Sequence, residues 1–495
     1  MSTAVSPAAF VPPPAGEVLG HPKQLWMLFG SEFWERFCYY GMRALLAVYV
    51  AAQFFGHLPE GEANAQAALT YGGYTSMVYA TGIFGGFIAD HYLGYQRSIL
   101  IGGLLMAIGC FMLLHPELKV FLAGLAVIVA GNGLFKPNIS TMVGQLYAPG
   151  DVRRDSGFTI FYMGINAGAF FAPIVCATWI GATYGFKYGF LAAGLGMVLA
   201  IVVFQFMKGM LGHVGVAPKG REGFTPVLVV LAGALALVPL IYFLLSKSAV
   251  LGYVLIAMML GLAAYFILSG IKSRDRIQMQ RYIAMLILFM ANMLFWALFE
   301  QAGSSLNFLA RDFVAAPFNF TLFQSFNPLF IIALAPLFAM LWPWLDRRGM
   351  NPSIPRKFAL ALIGVGFGFF VLVLAIKATP EGAKVFWMAL GLTYLIHTIS
   401  ELCLSPIGLS MVTKLAATKE VGMAMGGWFL STAMANYVAG LIAAVASGSG
   451  EHGGAASSLG QYASVFNQLW WLGLIIGALF LVFAPLINKL MHGVK

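Results

Sequence analysis

The chain has 495 residues, 60% of them hydrophobic and only 9% charged. Soluble domains carry roughly 25% charged residues, so this surface is solvated by lipid, and a soluble enzyme, a nucleic-acid binder and a disulfide-built scaffold are excluded. The net charge of +10 therefore needs an explanation other than nucleic acid.

The first twenty residues are rich in Pro and Ala and lack a basic start followed by an apolar core. No cleavable signal peptide is expected, and the first apolar helix itself starts insertion. A hydrocarbon core about 30 Å thick needs about 20 apolar residues per helix. The sequence predicts fourteen such spans, near 24–51, 67–90, 96–114, 120–145, 157–183, 188–207, 226–246, 250–270, 282–310, 320–344, 356–377, 384–412, 422–447 and 463–490. The four cysteines, Cys38, Cys110, Cys176 and Cys403, fall in these runs without close-spaced pairs and read as small buried apolar residues.

An even number of spans puts both termini on one side. Of the 28 Lys and Arg residues, nineteen lie in the terminal segments and the loops on that side, and six in the alternate loops. The positive-inside rule makes both termini cytoplasmic and accounts for most of the basic surplus.

Three cations remain inside spans, Arg36, Arg43 and Lys136, with four acids, Glu32, Glu35, Glu300 and Glu401. At about 3 kcal/mol each, seven lipid-facing charges would cost on the order of 20 kcal/mol. They must face one another or water inside the bundle.

In the first span, Glu32, Glu35, Arg36, Tyr39, Tyr40 and Arg43 follow the i, i+3, i+4, i+7 spacing of one helix face. This is either an ion-pair ladder that fixes helix packing or a working site. Function is favoured because four acids against three cations leave one carboxylate without a full-time partner, and low dielectric favours its protonated form. Charges from distant helices also converge only at a central cavity. A zwitterionic solute would bring one charge of each sign there and free a carboxylate to take a proton.

Lys136 lies mid-span between Gly131, Gly133 and Pro137, which permit a kink and close helix approach. Asn166 and Asn327 serve as interhelical glue or as binding groups, with Pro328 breaking the helix at the second. Glu300 and Glu401 are deep in later spans, and His397, one turn before Glu401, reads as a hydrogen-bonded core residue. Tyr79, Trp296 and Trp428 are packing residues when taken singly.

At these residues the sequence resembles the proton-dependent oligopeptide transporter family of the major facilitator superfamily. Glu32 to Gly41, reading EFWERFCYYG, matches the family pattern ExxER(F/S)xYYG, and Gly131 to Ser140 matches GxGxxKPNxS. RRDSGFTIFYMGINAGA at 153–169, FWALFEQAGSSLN at 295–307 and ELCLSPIGLS at 401–410 are similar to further family segments, so the likeness covers nearly the whole chain in order. The superfamily loop is present as GGFIADHYLGYQR at 85–97, with a weak echo at Asp346 to Gly349.

The resemblance implies an all-α polytopic membrane protein with the major facilitator fold. A six-helix bundle at 20–210 and another at 280–492 would flank two inserted helices within 222–275. It implies inward symport of di- and tripeptides with protons by alternating access. Arg36 and Lys136 would hold the peptide carboxylate, and Asn166, Asn327 and Glu401 its amino terminus. Glu32, Glu35 and Glu300 would couple proton uptake, while Tyr39, Tyr40, Tyr79, Trp296, Trp428 and Ser431 would line side-chain pockets. Arg43–Glu300 and Lys136–Glu401 would be gating salt bridges. Asp90 and Arg97, otherwise a solvated turn, would form a cytoplasmic latch.

The family's animal members carry a functional histidine in helix 2. This chain has none there before His91, so proton transfer is expected to rest on carboxylates. A bacterial inner membrane location is expected, with the proton gradient as driving force and no cofactor, metal, nucleic acid or obligatory protein partner. A carrier of another solute such as nitrate is the alternative within the fold. An intramembrane enzyme is disfavoured by the lack of a His-Glu-x-x-His pair, a Gly-x-Ser-x-Gly elbow or paired aspartates.

Overall fold

The computed structural model describes Pro13 and residues 16–148, 150–448 and 458–494. Lys495, counted above among the cytoplasmic cations, and most of the Pro- and Ala-rich start lie outside the described residues. Fourteen long helices run along the described chain, one at each predicted span. They are α1 (Lys23–Phe54), α2 (Glu60–Ile88), α3 (Tyr95–Met112), α4 (Leu118–Gln145), α5 (Arg153–Tyr184), α6 (Phe186–Leu211) and α7 (Thr225–Ser246). The chain continues through α8 (Ser248–Ser273), α9 (Arg276–Phe313), α10 (Phe320–Arg347), α11 (Ile354–Ala378), α12 (Trp387–Leu415), α13 (Thr418–Ala446) and α14 (Leu459–Leu490). Twelve of them are long and apolar enough to cross a membrane. The other two, α1 and α2, are also long enough at 32 and 29 residues, but α1 carries the charged constellation.

Without a hydrophobic drive between helices in lipid, close backbone packing at small residues takes its place. A Cβ on Gly102 would lie 2.6 Å from the Gly131 carbonyl oxygen, and one on Gly109 would lie 2.7 Å from that of Gly124, so α3 and α4 touch backbone to backbone. Helix α2 meets α13 in the same way, at Gly72 and Gly440. A Cβ on Gly72 would sit 2.7 Å from the Gly440 Cα and 2.9 Å from the Asn436 carbonyl. Gly72→Leu should therefore cost about 1–3 kcal/mol of overpacking and lower the thermal unfolding midpoint of the purified protein. An unchanged midpoint would mean that α2 and α13 need not meet.

Two other ties join early helices to late ones. Ser325 Oγ at the start of α10 donates to the Phe170 carbonyl of α5 (2.8 Å), and Asn307 Nδ2 of α9 donates to the Ala44 carbonyl of α1 (3.1 Å). Helix α7 packs on α4 and α2, and α8 on α9 and α13. Glu420, on the first turn of α13, fastens α8 by accepting from Ser269 Oγ (2.6 Å), and it also accepts the Tyr282 hydroxyl of α9.

The long span expected at 282–310 is not one regular helix. Its α-helical part ends at Phe299, Glu300–Gly303 forms a tighter 3₁₀ turn, and a second segment resumes at Ser305. The Tyr71 hydroxyl packs into the space over Gly303, 1.8 Å from where a Cβ would lie. The structure also adds two short β-bridges, Glu17–Val18 with His21–Pro22 and Val314–Ala315 with Val385–Phe386, which hydropathy did not reveal. The four cysteines are buried and unbridged.

Candidate functional site

Eight helices, four before the α7–α8 pair and four after it, surround a central cavity of about 240 Å³. Helix α1 contributes Glu32, Arg36 and Tyr40, which follow one another at i, i+4 and i+8 on a single line of the helix. Glu35 and Tyr39 belong to the neighbouring line and turn away from the cavity. Glu35 is fully buried and accepts from Asn132 Nδ2 of α4 at 3.4 Å. Tyr39 stacks edge-on against Tyr40, 5.2 Å between ring centroids. The expectation that Tyr39 lines a pocket is therefore corrected: one step in a period of 3.6 residues rotates it into the packed side.

The cationic wall combines Arg36 with Lys136 of α4. Arg36 Nε stands 2.9 Å from Glu32 Oε1 and 2.5 Å from Glu35 Oε2, a buried triad with Arg36 only 3% exposed. Among the described residues, Nη2 of Arg36 finds no hydrogen-bond partner. A buried guanidinium with spare donors is costly unless something else accepts from it. Lys136 Nζ lies 4.6 Å from the Tyr79 ring centroid and forms no ion pair among the described residues.

Across the cavity, Asn327 Nδ2 of α10 donates to Glu401 Oε2 of α12 (2.8 Å) and lies 3.1 Å from Thr398 Oγ1. Asn166 of α5 also lines the space, its Nδ2 bonded to the Tyr162 carbonyl at 2.9 Å. Tyr40, Tyr79, Trp296 and Trp428 supply aromatic walls. Ser431 does not reach the cavity. It is fully buried, 2.8 Å from Asn292 Nδ2 of α9, and donates to the Trp428 carbonyl. On α13 it is Trp428, Phe429 and Thr432 that line the cavity. The place expected for Ser431 is thus corrected by one residue.

Of the two expected bridges, one is made. Arg43 pairs with Glu300 through Nη2 and bonds the Tyr71 hydroxyl through Nε, linking α1 to the broken part of α9. Lys136 and Glu401 line the same cavity unpaired with each other. Asp90 and Arg97 do not meet either. Asp90 accepts from the Tyr95 hydroxyl, while Arg97 Nη1 donates to the Gly223 carbonyl (2.9 Å) in the segment that leads into α7. His397 is held in the core by Nε2 at 2.9 Å from the Val365 carbonyl.

Sequence reasoning missed Tyr162, Ile165 and Ala169, which line the cavity from α5. They lie 4 and 1 residues before and 3 after Asn166, so the helical period around that buried amide marked them. Among the described residues, no three metal-ligating side chains cluster.

Residues 96–459 match the model of the POT family, PTR2. The chain is similar to Peptide transporter YePEPT of Yersinia enterocolitica, at 36% identity over 86% of this chain and 88% of the relative. It is also similar to Dipeptide and tripeptide permease B of Edwardsiella piscicida, at 32% identity over 96% and 97%. Among solved structures it resembles a mutant of peptide transporter POT in complex with alafosfalin. That likeness has a TM-score of 0.83 and 36% identity, covering 97% of this chain and 98% of that one.

Proposed function

The chain belongs to the POT family, a family of peptide transporters with the major facilitator fold, and from that premise we propose that it carries di- and tripeptides inward together with protons. The observation that supports this most is the polarity of the cavity. Arg36, with an unsatisfied Nη2, and Lys136 form one wall, and the Asn327–Glu401 pair forms another. A short peptide is a zwitterion whose carboxylate suits the first wall and whose ammonium suits the second.

In this reading α1 to α6 and α9 to α14, spanning 20–210 and 280–492, are the two moving bundles, and 222–275 is an inserted hairpin. Both termini face the cytoplasm of a bacterial inner membrane. The ties at Gly72–Gly440, Phe170–Ser325 and Arg43–Glu300 then close the outer end, while the open Lys136–Glu401 pair belongs to the inner path. Two stable packings of the bundles around one central site are what alternating access requires.

Peptide carboxylate and the acids Glu32 and Glu35 compete for the same Arg36 guanidinium. Binding peptide releases a buried carboxylate, which must then take a proton, and this couples the two fluxes. Neither a cofactor nor a chemical step has a role.

Glu401→Gln removes the negative charge facing the ammonium. Its affinity for a free dipeptide should fall about 10–100-fold, the worth of one charge-assisted hydrogen bond at 1.5–3 kcal/mol. Its affinity for an N-acetylated dipeptide should stay at the wild-type level. Competition against labelled dialanine reads both, and equal losses for the two ligands would remove Glu401 from ammonium binding.

A further inference from the structure

A second cavity, of about 330 Å³, lies outside the central site between α2, α4 and α7. It is almost wholly apolar. Helices α2 and α4 cross here at Gly85 and Gly133, where a Cβ on Gly85 would sit 1.6 Å from the Gly133 carbonyl oxygen. Helix α7 offers Gly233 and Ala234 as a low wall, and a Cβ added at Gly233 meets no atom within 4 Å. The one hydroxyl near the crossing, Thr81 Oγ1, is taken up by the Met77 and Val129 carbonyls at 3.0 and 3.2 Å. Phe84 and Leu237 at the mouth are 57% and 46% exposed, so the crevice faces the hydrocarbon around the bundle.

Its other end changes character. Tyr92 closes it, and the Arg221 guanidinium carbon sits 5.3 Å from the Tyr92 ring centroid. Arg97 pins the same segment through the carbonyls of Arg221, Glu222 and Gly223, and Lys219 is two residues away. Against these cations stand Asp90, which holds the Tyr95 hydroxyl, and Glu222. Backbone N–H groups of its own turn and Arg97 keep the Glu222 carboxyl below its usual range. Three cations outnumber two acids at this rim. An apolar slot ending beside a guanidinium has the chemistry of a lipid tail and a phosphate headgroup.

We propose that the crevice between α2, α4 and α7 binds one acyl chain of an anionic phospholipid whose phosphate is held by Arg221 beside Tyr92. The lipid fills the seam between α7 and the crossing of α2 and α4, so the inserted hairpin is fastened to the N-terminal helices partly through it.

Native mass spectrometry of the full-length protein in detergent, offered an equimolar mixture of phosphatidylglycerol and phosphatidylcholine, tests this. One phosphatidylglycerol adduct should be retained about fivefold over phosphatidylcholine, the preference one cation near a headgroup supplies. Arg221→Gln should bring the ratio to about one with the adduct still present, as the loss of that single cation implies. Gly233→Leu should lose the adduct while dipeptide exchange persists, and Gly233→Val serves the same end if the leucine variant does not fold. Equal retention of the two lipids by the wild type, or a phosphatidylglycerol adduct that survives the filled crevice, would overturn the proposal.

Discussion

Replacing Arg36 with alanine should reduce dipeptide uptake by on the order of 100-fold, the equivalent of about 3 kcal/mol for a lost charge-assisted contact. Of the two cations that line the cavity among the described residues, Arg36 is the one paired with acids of its own helix, Glu32 at 2.9 Å and Glu35 at 2.5 Å. Its removal withdraws the guanidinium that the proposed binding mode gives to the substrate carboxylate and leaves two buried acids beside each other. Breaking a buried ion pair on one side costs about 3–5 kcal/mol, so the variant must be checked for folding by its thermal midpoint and its membrane yield. Arg36→Lys separates the two effects. It keeps the charge for Glu32 and Glu35 but lacks the planar fork, so it should restore stability more than uptake. Wild-type uptake by a folded Arg36→Ala protein would remove Arg36 from substrate binding.

Glu35→Gln should abolish proton-driven accumulation and leave exchange of peptide for peptide within a few fold of wild type. One charge moving through 100 mV supplies about 2.3 kcal/mol, which sustains roughly 50-fold accumulation, and all of it should vanish in the variant. Glutamine fills the same space, and its single carbonyl oxygen can accept from either Asn132 or Arg36, but it neither takes up a proton nor competes as a charge for the guanidinium. The position of Glu35 explains the separation. It is fully buried and turned away from the cavity, so in the proposed binding mode it acts on the substrate only through Arg36. Intact accumulation under an inward proton gradient would place the coupling elsewhere, with Glu32 the next acid to replace.

Much of this arrangement could be read in the sequence because bilayer physics is severe. Fourteen apolar runs had to be helices, and seven charges inside them had to converge. Arg36, Lys136 and Glu401, from α1, α4 and α12, do line one cavity. The period of 3.6 residues was less informative within α1, where adjacent stripes are both polar or aromatic. It could not tell that the line through Glu32, Arg36 and Tyr40 faces the cavity while Glu35 and Tyr39 face α4 and the bundle interior. Ser431 shows the same ambiguity beside Trp428 and Thr432. The break at Glu300–Gly303 lies where Tyr71 arrives from α2, a contact no local pattern encodes. The partner of Arg97, a set of backbone carbonyls more than 120 residues away, is invisible for the same reason.

Counterflow in proteoliposomes tests the central claim most directly. Vesicles loaded with unlabelled dialanine and diluted into labelled dialanine should transiently concentrate intact label inside, and an inward proton gradient imposed on empty vesicles should drive its net entry. Label that enters only by slow equilibration, unaffected by peptide on the far side or by the gradient, would contradict proton-coupled peptide carriage.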